Sequence, residues 1–449
     1  MTNIVNVIPF DYNKLLKIMG YSPQAGYIIR YLSDPELDAK TVVIEEKYID
    51  RDYLLDYQSF YSRSFNDVPR ITKRLHFFSE IFSSRKFNRI LKNKKKDYFS
   101  KTKSYLGFLV LKPVQNEKGE TIIGRTLLKP YPKTKGQIIR HYIEGNYTIS
   151  LCGIELSINA APFQVQDRGV SACATISLWI ALRLIKFLFD FPNQHPSKIT
   201  ELSNELVSEA RVFPQDGLNL DQMLKCIKLL GLDVEVIRAL DSDTVTSAVK
   251  AYTNAGIPLI AALKLTKKPE VIEEEKTKDD HEHHAAVIVG YQTDGNGKLT
   301  KLYVHDDQVG PYSKVEAKSN DDFREWKNEW VMEPTDYSKL ELEKIIVPIC
   351  PKIRLPWLTI YDGYEEICGN LDQNEKVDLY LYTVQKYKNE LLQRDIKEKT
   401  KQLKRFLPRF IWVERFSDKI TGSPRMDYLF DGTEVYSVVN QNLTPVIYE

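Results

Sequence analysis

One stretch of this chain limits its possible folds more than any other: a polar loop containing a glycine that leads directly into a long apolar segment. The loop begins at Gln166, the apolar segment extends to Phe189, and Arg183 and Lys186 are its only charged residues. Because it contains no Pro or Gly, the segment predicts a helix that is buried on nearly all sides. Cys173 falls in the first turn, where unpaired N–H groups and the helix dipole favour a thiolate. The cysteine there is either a nucleophile or simply a small buried hydrophobic residue, and a nucleophile needs a base from elsewhere in the chain.

The composition is typical of a soluble globular protein, with 43% hydrophobic and 28% charged residues. At about 150 residues per domain, a length of 449 residues predicts two or three domains. The N-terminus does not resemble a signal peptide, and no apolar run is long enough to span a bilayer, so we expect a cytoplasmic protein without membrane contacts. The five cysteines are scattered and form no CxxC pair, which argues against disulfides and thiolate zinc sites and fits a reducing cytosol: Cys152, Cys173, Cys226, Cys350 and Cys368.

Changes in composition along the chain predict three regions. Residues 1–103 carry aromatic residues at spacings of three and four, which predicts a helical, aromatic-rich domain. Residues 104–334 open with strand-like runs at 105–114, 121–128 and 147–158 and continue with helices and strands around Cys173, including a helix predicted at 201–212. Residues 335–449 predict a mixed α/β region with a long helix at 377–403.

A basic run between Arg85 and Lys103 contains nine Lys and Arg residues, with Phe87, Tyr98 and Phe99 among them. Such a run either binds a nucleic-acid backbone or forms a solvated helix end. The formal net charge of the whole chain is only +2, which favours the solvated helix end. Nucleic acid is therefore not the expected partner, although a non-enzymatic nucleic-acid-binding protein remains an alternative.

Two residues after Cys173 are candidates for its catalytic partners. His284 begins a predicted buried strand directly after a charged loop at 267–283, and Asp306 ends the next strand. Two strands joined by a Gly-rich turn form an antiparallel hairpin, which brings both side chains to one edge of the sheet. A carboxylate on one imidazole nitrogen leaves the other nitrogen for a thiol, as nucleophilic acyl transfer requires. Gln166 is the candidate donor to the oxyanion.

These segments resemble the papain-like cysteine peptidases, especially the bacterial domains that remove double-glycine leader peptides. The resemblance covers roughly residues 160–316 and rests on five motifs: residues 166–179, Leu229-Leu230-Gly231-Leu232, the segment Ala255-Gly256-Ile257-Pro258-Leu259-Ile260, the strand from His284 to Tyr291, and Tyr303-Val304-His305-Asp306.

The resemblance implies an α+β fold with a papain-like core, in which a helix bearing Cys packs on an antiparallel sheet bearing His and Asp, with a helical N-terminal and a mixed C-terminal extension. It also implies Cys173 as nucleophile, His284 as base, Asp306 as the orienting acid and Gln166 as oxyanion donor. Two positions depart from the family pattern. Asp167 stands where the family has its glutamine, and Asp307 where it has a proline.

A metal site is the main chemical rival. The three histidines His281, His283 and His284 lie among acidic residues, but their spacing lacks the fixed geometry of a closed site, so we expect no metal and no other cofactor. The sequence thus predicts a bacterial, cytoplasmic cysteine peptidase acting on a protein or peptide, with a possible partner protein at either terminal region. A transglutaminase-like or deamidase-like acyl transferase with the same triad is the enzymatic alternative.

Overall fold

The computed structural model describes residues 5–65, 67–93, 98–116, 118–167, 172–189, 191–204, 218–269, 281–319, 321–332, 335–369, 374–434 and 442–449. The strands, in chain order, are β1 Val5–Pro9, β2 Thr41–Tyr48, β3 Thr72–Phe78, β4 Tyr105–Gln115, β5 Thr121–Leu128, β6 Thr134–Lys135, β7 Ile138–Tyr142, β8 Gly145–Leu151, β9 Ile154–Ala160, β10 Pro162–Phe163, β11 Asp233–Arg238, β12 Leu259–Lys267, β13 His281–Thr293, β14 Leu299–Asp306, β15 Gly310–Ala317, β16 Trp326–Lys327, β17 Tyr337–Ile349, β18 Glu375–Thr383, β19 Phe410–Asp418, β20 Pro424–Asp431 and β21 Asn442–Ile447.

The helices in the same ranges are α1 Tyr12–Met19, α2 Pro23–Ser33, α3 Arg51–Ser59, α4 Ser84–Lys92, α5 Tyr98–Thr102, α6 Cys173–Phe189, α7 Pro196–Ser203, α8 Leu220–Leu229, α9 Ser242–Ala255, α10 Trp357–Gly369, α11 Val384–Leu392 and α12 Lys399–Lys404. A short 3₁₀ helix, Tyr61–Arg63, follows α3. Within the described ranges, no helix is both long and apolar enough to cross a lipid bilayer.

The described strands form four antiparallel sheets. The first has the order β1-β2-β3-β4-β5-β10, and the second follows the path β11-β17-β12-β13-β14-β15-β16, with β7 added beside β13 and β6 beside β7. A four-stranded sheet, β18-β19-β20-β21, and the hairpin β8-β9 complete the set. The second sheet therefore collects strands from well-separated parts of the chain.

Helix α6 lies in the layer between the first two sheets. One core cluster contains Leu109 from β4, Trp179 from α6 and Val287 from β13, so the helix packs against both sheets. A second cluster covers the opposite face of β13, where Ile288 packs with Val249 of α9. Because β13 is buried on both faces, it is an almost continuous apolar run rather than an alternating one.

The prediction of an α+β fold with a papain-like core and a helical N-terminal extension is wrong. The protein is mostly antiparallel β-sheet, and its strands form several sheets. Strands make up 40% and helices 30% of the structure. The N-terminal residues supply β1, β2 and β3 to a six-stranded sheet. The aromatic residues spaced by four in α3, Tyr53 and Tyr57, do lie on a helix. The runs Thr41–Tyr48 and Thr72–Phe78 are strands, in keeping with their β-branched and aromatic residues.

Several predictions of individual strands and helices can be compared with the observed secondary structure. The strands predicted at 105–114 and 121–128 are confirmed as β4 and β5, and the apolar helix is confirmed as α6. The helix predicted at 201–212 lies largely outside the described residues. The long helix predicted at 377–403 is wrong, because its first part is β18, in which Val377, Leu379 and Leu381 are buried with a period of two.

Candidate active site

Strands β13 and β14 bring His284 and Asp306 together at one end of the second sheet. β13 begins with three partly exposed or exposed residues, and His284 is the first buried one, with 8% of its surface accessible. β14 ends at Asp306, which is 1% accessible. The Nε2 atom of His284 lies 2.9 Å from Oδ1 of Asp306, a hydrogen-bonding distance.

Two further donors hold the Asp306 carboxylate in place. The indole N–H of Trp330 donates to Oδ2 at 2.7 Å, and the backbone N–H of Gln308 donates to Oδ1 at 3.0 Å. The ring of Trp330 also lies against the imidazole of His284, with 5.1 Å between ring centroids. The aspartate is therefore fixed from two sides, and one face of the histidine ring is covered.

The charges in this pair stabilise each other. Burial by itself lowers the pKa of His284, but the negative charge of Asp306 and hydrogen bonds to Asp306 and Cys173 raise that pKa well above its usual value. Burial raises the pKa of Asp306, but the charge of His284 and hydrogen bonds from His284 and Trp330 outweigh burial and lower it. The pair is therefore an imidazolium and a carboxylate around neutral pH.

Cys173 lies on the other side of the imidazole. It is the first residue of α6, it is half-buried, and its side chain is hydrogen-bonded to that of His284. Since Nε2 of His284 is engaged by Asp306, Nδ1 is the nitrogen left for the thiol. The structure thus brings Cys173, His284 and Asp306 into one hydrogen-bonded chain with the histidine in the middle.

Asp307 is a second buried carboxyl group beside the same histidine. Its Oδ1 lies 3.8 Å from Nε2 of His284, and this oxygen has no hydrogen-bond partner among the described residues. Burial, together with the adjacent charge of Asp306, raises the pKa of Asp307 to about 7, although the charge of His284 acts in the opposite direction. Asp307 therefore carries a proton over much of the acidic range.

His284, Asp306 and Asp307 are close enough to be considered as ligands of one metal ion. The spacing does not suit tetrahedral zinc, because His284 and Asp306 are 2.9 Å apart, whereas two ligands at about 2.0–2.1 Å from such a zinc lie more than about 3.2 Å apart. The Asp306 oxygens are also occupied by the N–H donors of Trp330 and Gln308. Of the histidines in the rival metal prediction, the rings of His281 and His283 pack edge to face, with 5.3 Å between their centroids.

Gln166 does not join the hydrogen-bonded chain. It lines a cavity of about 400 Å³ together with Gln24 and Gln308, and in the described part of the structure no hydrogen bond connects it to Cys173. Because Gln308 also donates to Asp306 and Asp307, this cavity borders the aspartate end of the site.

Asp167, at the position where the family has its glutamine, has a different role. Its carboxylate accepts hydrogen bonds from the hydroxyl of Tyr61 and, at 3.4 Å, from the ammonium group of Lys112. A buried acceptor of this kind cannot donate to an oxyanion.

The basic run at 85–103 uses its aromatic residues for packing. Phe87 and Phe99 are buried in the core on the outer face of the first sheet, and the hydroxyl of Tyr98 donates to Glu80 at 2.6 Å. Lys86 also pairs with Glu80. The described aromatic residues are therefore not free to stack on nucleic-acid bases. Residues 94–97 of the run lie outside the described ranges.

Sequence reasoning did not identify Trp330 or Gln308. Gln308 donates to Asp306 through its backbone, and any residue type except proline can do this, so no side-chain pattern signals that contact. Trp330 follows a turn-rich segment after the hairpin, and nothing in the sequence around it marks it as a partner of Asp306.

A scan against protein-family models finds no matching family, and a search of curated proteins finds no match either.

Proposed function

We propose that this protein is a cysteine-dependent hydrolase, most simply a peptidase that cleaves a peptide or isopeptide bond. One observation carries the proposal: the buried imidazole of His284 is hydrogen-bonded to Asp306 through one nitrogen and to the Cys173 side chain as well. The order of these residues along the chain and their types also match the cysteine peptidases that the sequence motifs resemble.

In the proposed mechanism, the sulfur of Cys173 attacks the carbonyl carbon of an amide, and His284 holds the proton that the thiol has given up. His284 then passes this proton to the leaving amine as the C–N bond breaks, which leaves a thioester on Cys173. A water molecule, deprotonated by His284, attacks the thioester and releases the acid and the free thiol. Asp306 keeps the ring oriented and stabilises its positive charge throughout.

The substrate we propose is a protein or peptide, and the compartment is the cytoplasm. The described cysteines Cys152, Cys173, Cys226 and Cys350 are free thiols, which suits a reducing environment. Transfer of the acyl group to an amine instead of water would use the same three residues, and it would differ only in the nucleophile that opens the thioester.

The test is the rate at which iodoacetamide alkylates each cysteine, followed by peptide mass spectrometry. Cys152 is exposed and Cys173 is only half-buried, so accessibility alone predicts faster reaction at Cys152. Partial desolvation of its thiol and the charge of Glu45 also raise the pKa of Cys152. We expect Cys173 to react at least about tenfold faster than Cys152 at pH 7, because its thiolate is paired with His284.

His284→Ala should remove this advantage and Cys226→Ala should not, since Cys226 is buried in the core away from the histidine. A peptide mixture incubated with the protein should give new amino termini that are absent with Cys173→Ala. Equal alkylation of Cys173 in the wild type and in His284→Ala would contradict the proposal.

A further inference from the structure

One peptide group in the turn between β14 and β15 connects Asp306 to helix α2. The carbonyl of Asp307 and the N–H of Gln308 belong to this group, which is planar and rigid. Its N–H donates to Oδ1 of Asp306 at 3.0 Å. Its carbonyl accepts a hydrogen bond at 3.3 Å from the side-chain amide of Gln24, which lies on α2. A helix from the N-terminal part of the chain therefore holds the carbonyl end of the peptide group whose N–H end holds Asp306.

The start of α2 is fixed by its own sequence. Ser22 is the N-cap residue, and its hydroxyl accepts a hydrogen bond from the backbone N–H of Ala25 at 3.1 Å. Pro23 follows at the first helical position, where a missing N–H costs no intrahelical hydrogen bond. Gln24 is therefore in the first turn of the helix, and it is only 8% accessible, so most of its side chain is shielded from water.

Helix α2 also packs closely against the far end of the same turn. A Cβ atom placed on Gly310 would lie 2.1 Å from Cδ1 of Tyr27, so the Tyr27 ring takes the space that a side chain there would need. Gly310 is the residue that pairs with Asp306 across the two strands. Gln24 and Tyr27 are three residues apart and share one face of the helix. This face of α2 therefore contacts the turn at Asp307 and again at Gly310.

The hydrogen bonds run in series from α2 towards the thiol. Gln24 donates to the peptide group, the peptide group donates to Asp306, and Asp306 accepts from Nε2 of His284 at 2.9 Å. A donor on the carbonyl polarises the N–H of the same peptide group, and such cooperativity strengthens a hydrogen bond by about 10–30%. Without the Gln24 amide the peptide group would be freer to rotate, and its N–H would hold the Asp306 carboxylate less firmly.

We propose that Gln24 is a positioning residue for Asp306, which acts through the peptide group between Asp307 and Gln308 without touching substrate. This inference rests on the proposed function, because the orientation of Asp306 matters only if His284 serves the thiol of Cys173. It gives helix α2 a part in the reactivity of that thiol, although α2 carries no member of the hydrogen-bonded chain around His284.

The test uses Gln24→Met, which keeps the length of the side chain and removes the amide. Gln24→Asn is a second variant, which keeps an amide but is one methylene too short to reach the carbonyl. Gln24 borders the cavity of about 400 Å³ described above, so both replacements have room. Tyr31→Phe is the matched control. Tyr31 lies on the same helix and is buried, and its hydroxyl donates to the carbonyl of Lys129 at 2.7 Å, so this variant removes a hydrogen bond of α2 that does not reach the turn.

The measurement is the ratio of the iodoacetamide alkylation rates of Cys173 and Cys152 in the full-length protein between pH 5 and 9. Cys152 lies in the turn between β8 and β9 and serves as an internal reference, because a general loss of stability changes both rates. At pH 7 we expect the ratio to fall about three- to tenfold in both Gln24 variants, as for the loss of one neutral hydrogen bond. Tyr31→Phe should stay within about twofold of the wild type, because its lost hydrogen bond is not part of the series.

The pH profile separates positioning from general loosening. An ordinary thiol has a pKa of about 8.5 and needs no imidazolium to react at pH 9. The loss in the Gln24 variants should therefore be largest below pH 7 and should nearly disappear at pH 9. The carboxyl of Asp307 is present in every variant, so its ionisation cancels in the comparison. In an Asp306→Ala background, Gln24→Met should cost less than about twofold, because its effect passes through the missing carboxylate.

The outcomes separate the two proposals. If wild-type Cys173 reacts no faster than Cys152, the proposed function is wrong, and the inference that rests on it is wrong too. If wild-type Cys173 is fast and the folded Gln24 variants keep its rate and pH profile, the positioning role is wrong and the proposed function stands. The positioning role is also overturned by a loss that is the same at pH 6 and pH 9, that persists in Asp306→Ala, or that Tyr31→Phe reproduces.

Discussion

Replacing Asp306 tests the link between the electrostatics of the site and its reactivity most directly. Asp306→Ala removes the charge that opposes the burial of His284, so burial then lowers the pKa of the imidazole. The imidazolium that pairs with the Cys173 thiolate becomes less populated at neutral pH. The substitution also leaves the N–H donors of Trp330 and Gln308 without their acceptor.

The magnitude follows from the 2.9 Å hydrogen bond between His284 and Asp306. A hydrogen bond to a charged group is worth about 1.5–3 kcal/mol, and each 1.36 kcal/mol corresponds to about tenfold. Asp306→Ala should therefore slow the alkylation of Cys173 at pH 7 by about 10- to 150-fold. Asp306→Asn keeps an acceptor without the charge, and a neutral hydrogen bond is worth about 0.5–1.5 kcal/mol, so its loss should be only about five- to tenfold.

The assay is the rate of iodoacetamide alkylation at Cys173, measured from pH 5 to 9 with Cys152 as internal reference. In the wild type the raised pKa of His284 keeps the imidazolium well above pH 6.5, so the rate should stay high through neutral pH. In Asp306→Ala the rate should approach that of an ordinary thiol. A folded Asp306→Ala protein that is alkylated at the wild-type rate across this range would refute the reasoning.

Three other substitutions give separate expected outcomes. The pKa of Asp307 is about 7 in the folded protein and about 3.9 in the unfolded chain. The free energy of unfolding therefore decreases as the pH rises from about 4 to 7, because the unfolded chain ionises more easily. Asp307→Asn should leave the free energy of unfolding at pH 4 unchanged and raise it by about 2–4 kcal/mol at pH 8 in urea unfolding. Trp330→Phe removes the 2.7 Å donor to Asp306 but keeps the ring against the histidine, so Cys173 alkylation at pH 7 should slow by about tenfold, and an unchanged rate would contradict this role. Arg415 forms two 2.8 Å hydrogen bonds to the fully buried Asp427; Arg415→Met should cost about 3–5 kcal/mol in urea unfolding, and a loss below about 1 kcal/mol would show that the pair contributes little.

The candidate site was easier to predict than the fold because its residues are marked by local patterns. A cysteine after a polar loop, a histidine where burial begins in a strand and an aspartate at the end of the next strand can each be recognised within about ten residues. The hairpin then accounts for the proximity of His284 to Asp306. The proximity of Cys173 depends on how α6 packs between two sheets, and that packing has no local signal.

The wider architecture depends on pairings between distant segments. β7 pairs with β13, and β17 pairs with both β11 and β12, although at least 69 residues lie between the two strands of each pair. Aromatic residues in the N-terminal part satisfy a helical spacing and a strand pattern equally well, and only the partner strands decide between them. Asp167 shows the same limit, because its carboxylate accepts hydrogen bonds from Tyr61 and Lys112, which come from distant positions in sequence.

The position of β17 has a consequence for the order in which the protein is built. β17, Tyr337–Ile349, lies between β11 and β12, so the second sheet is split until the ribosome has synthesised and released this strand. Cys173, His284 and Asp306 are all translated before β17. Until β17 is made, the sheet that carries His284 and Asp306 lacks the strand between β11 and β12. The newly made chain therefore passes through a period in which the thiol is present without its complete support, and reactivity at Cys173 should appear only after residue 349 has emerged.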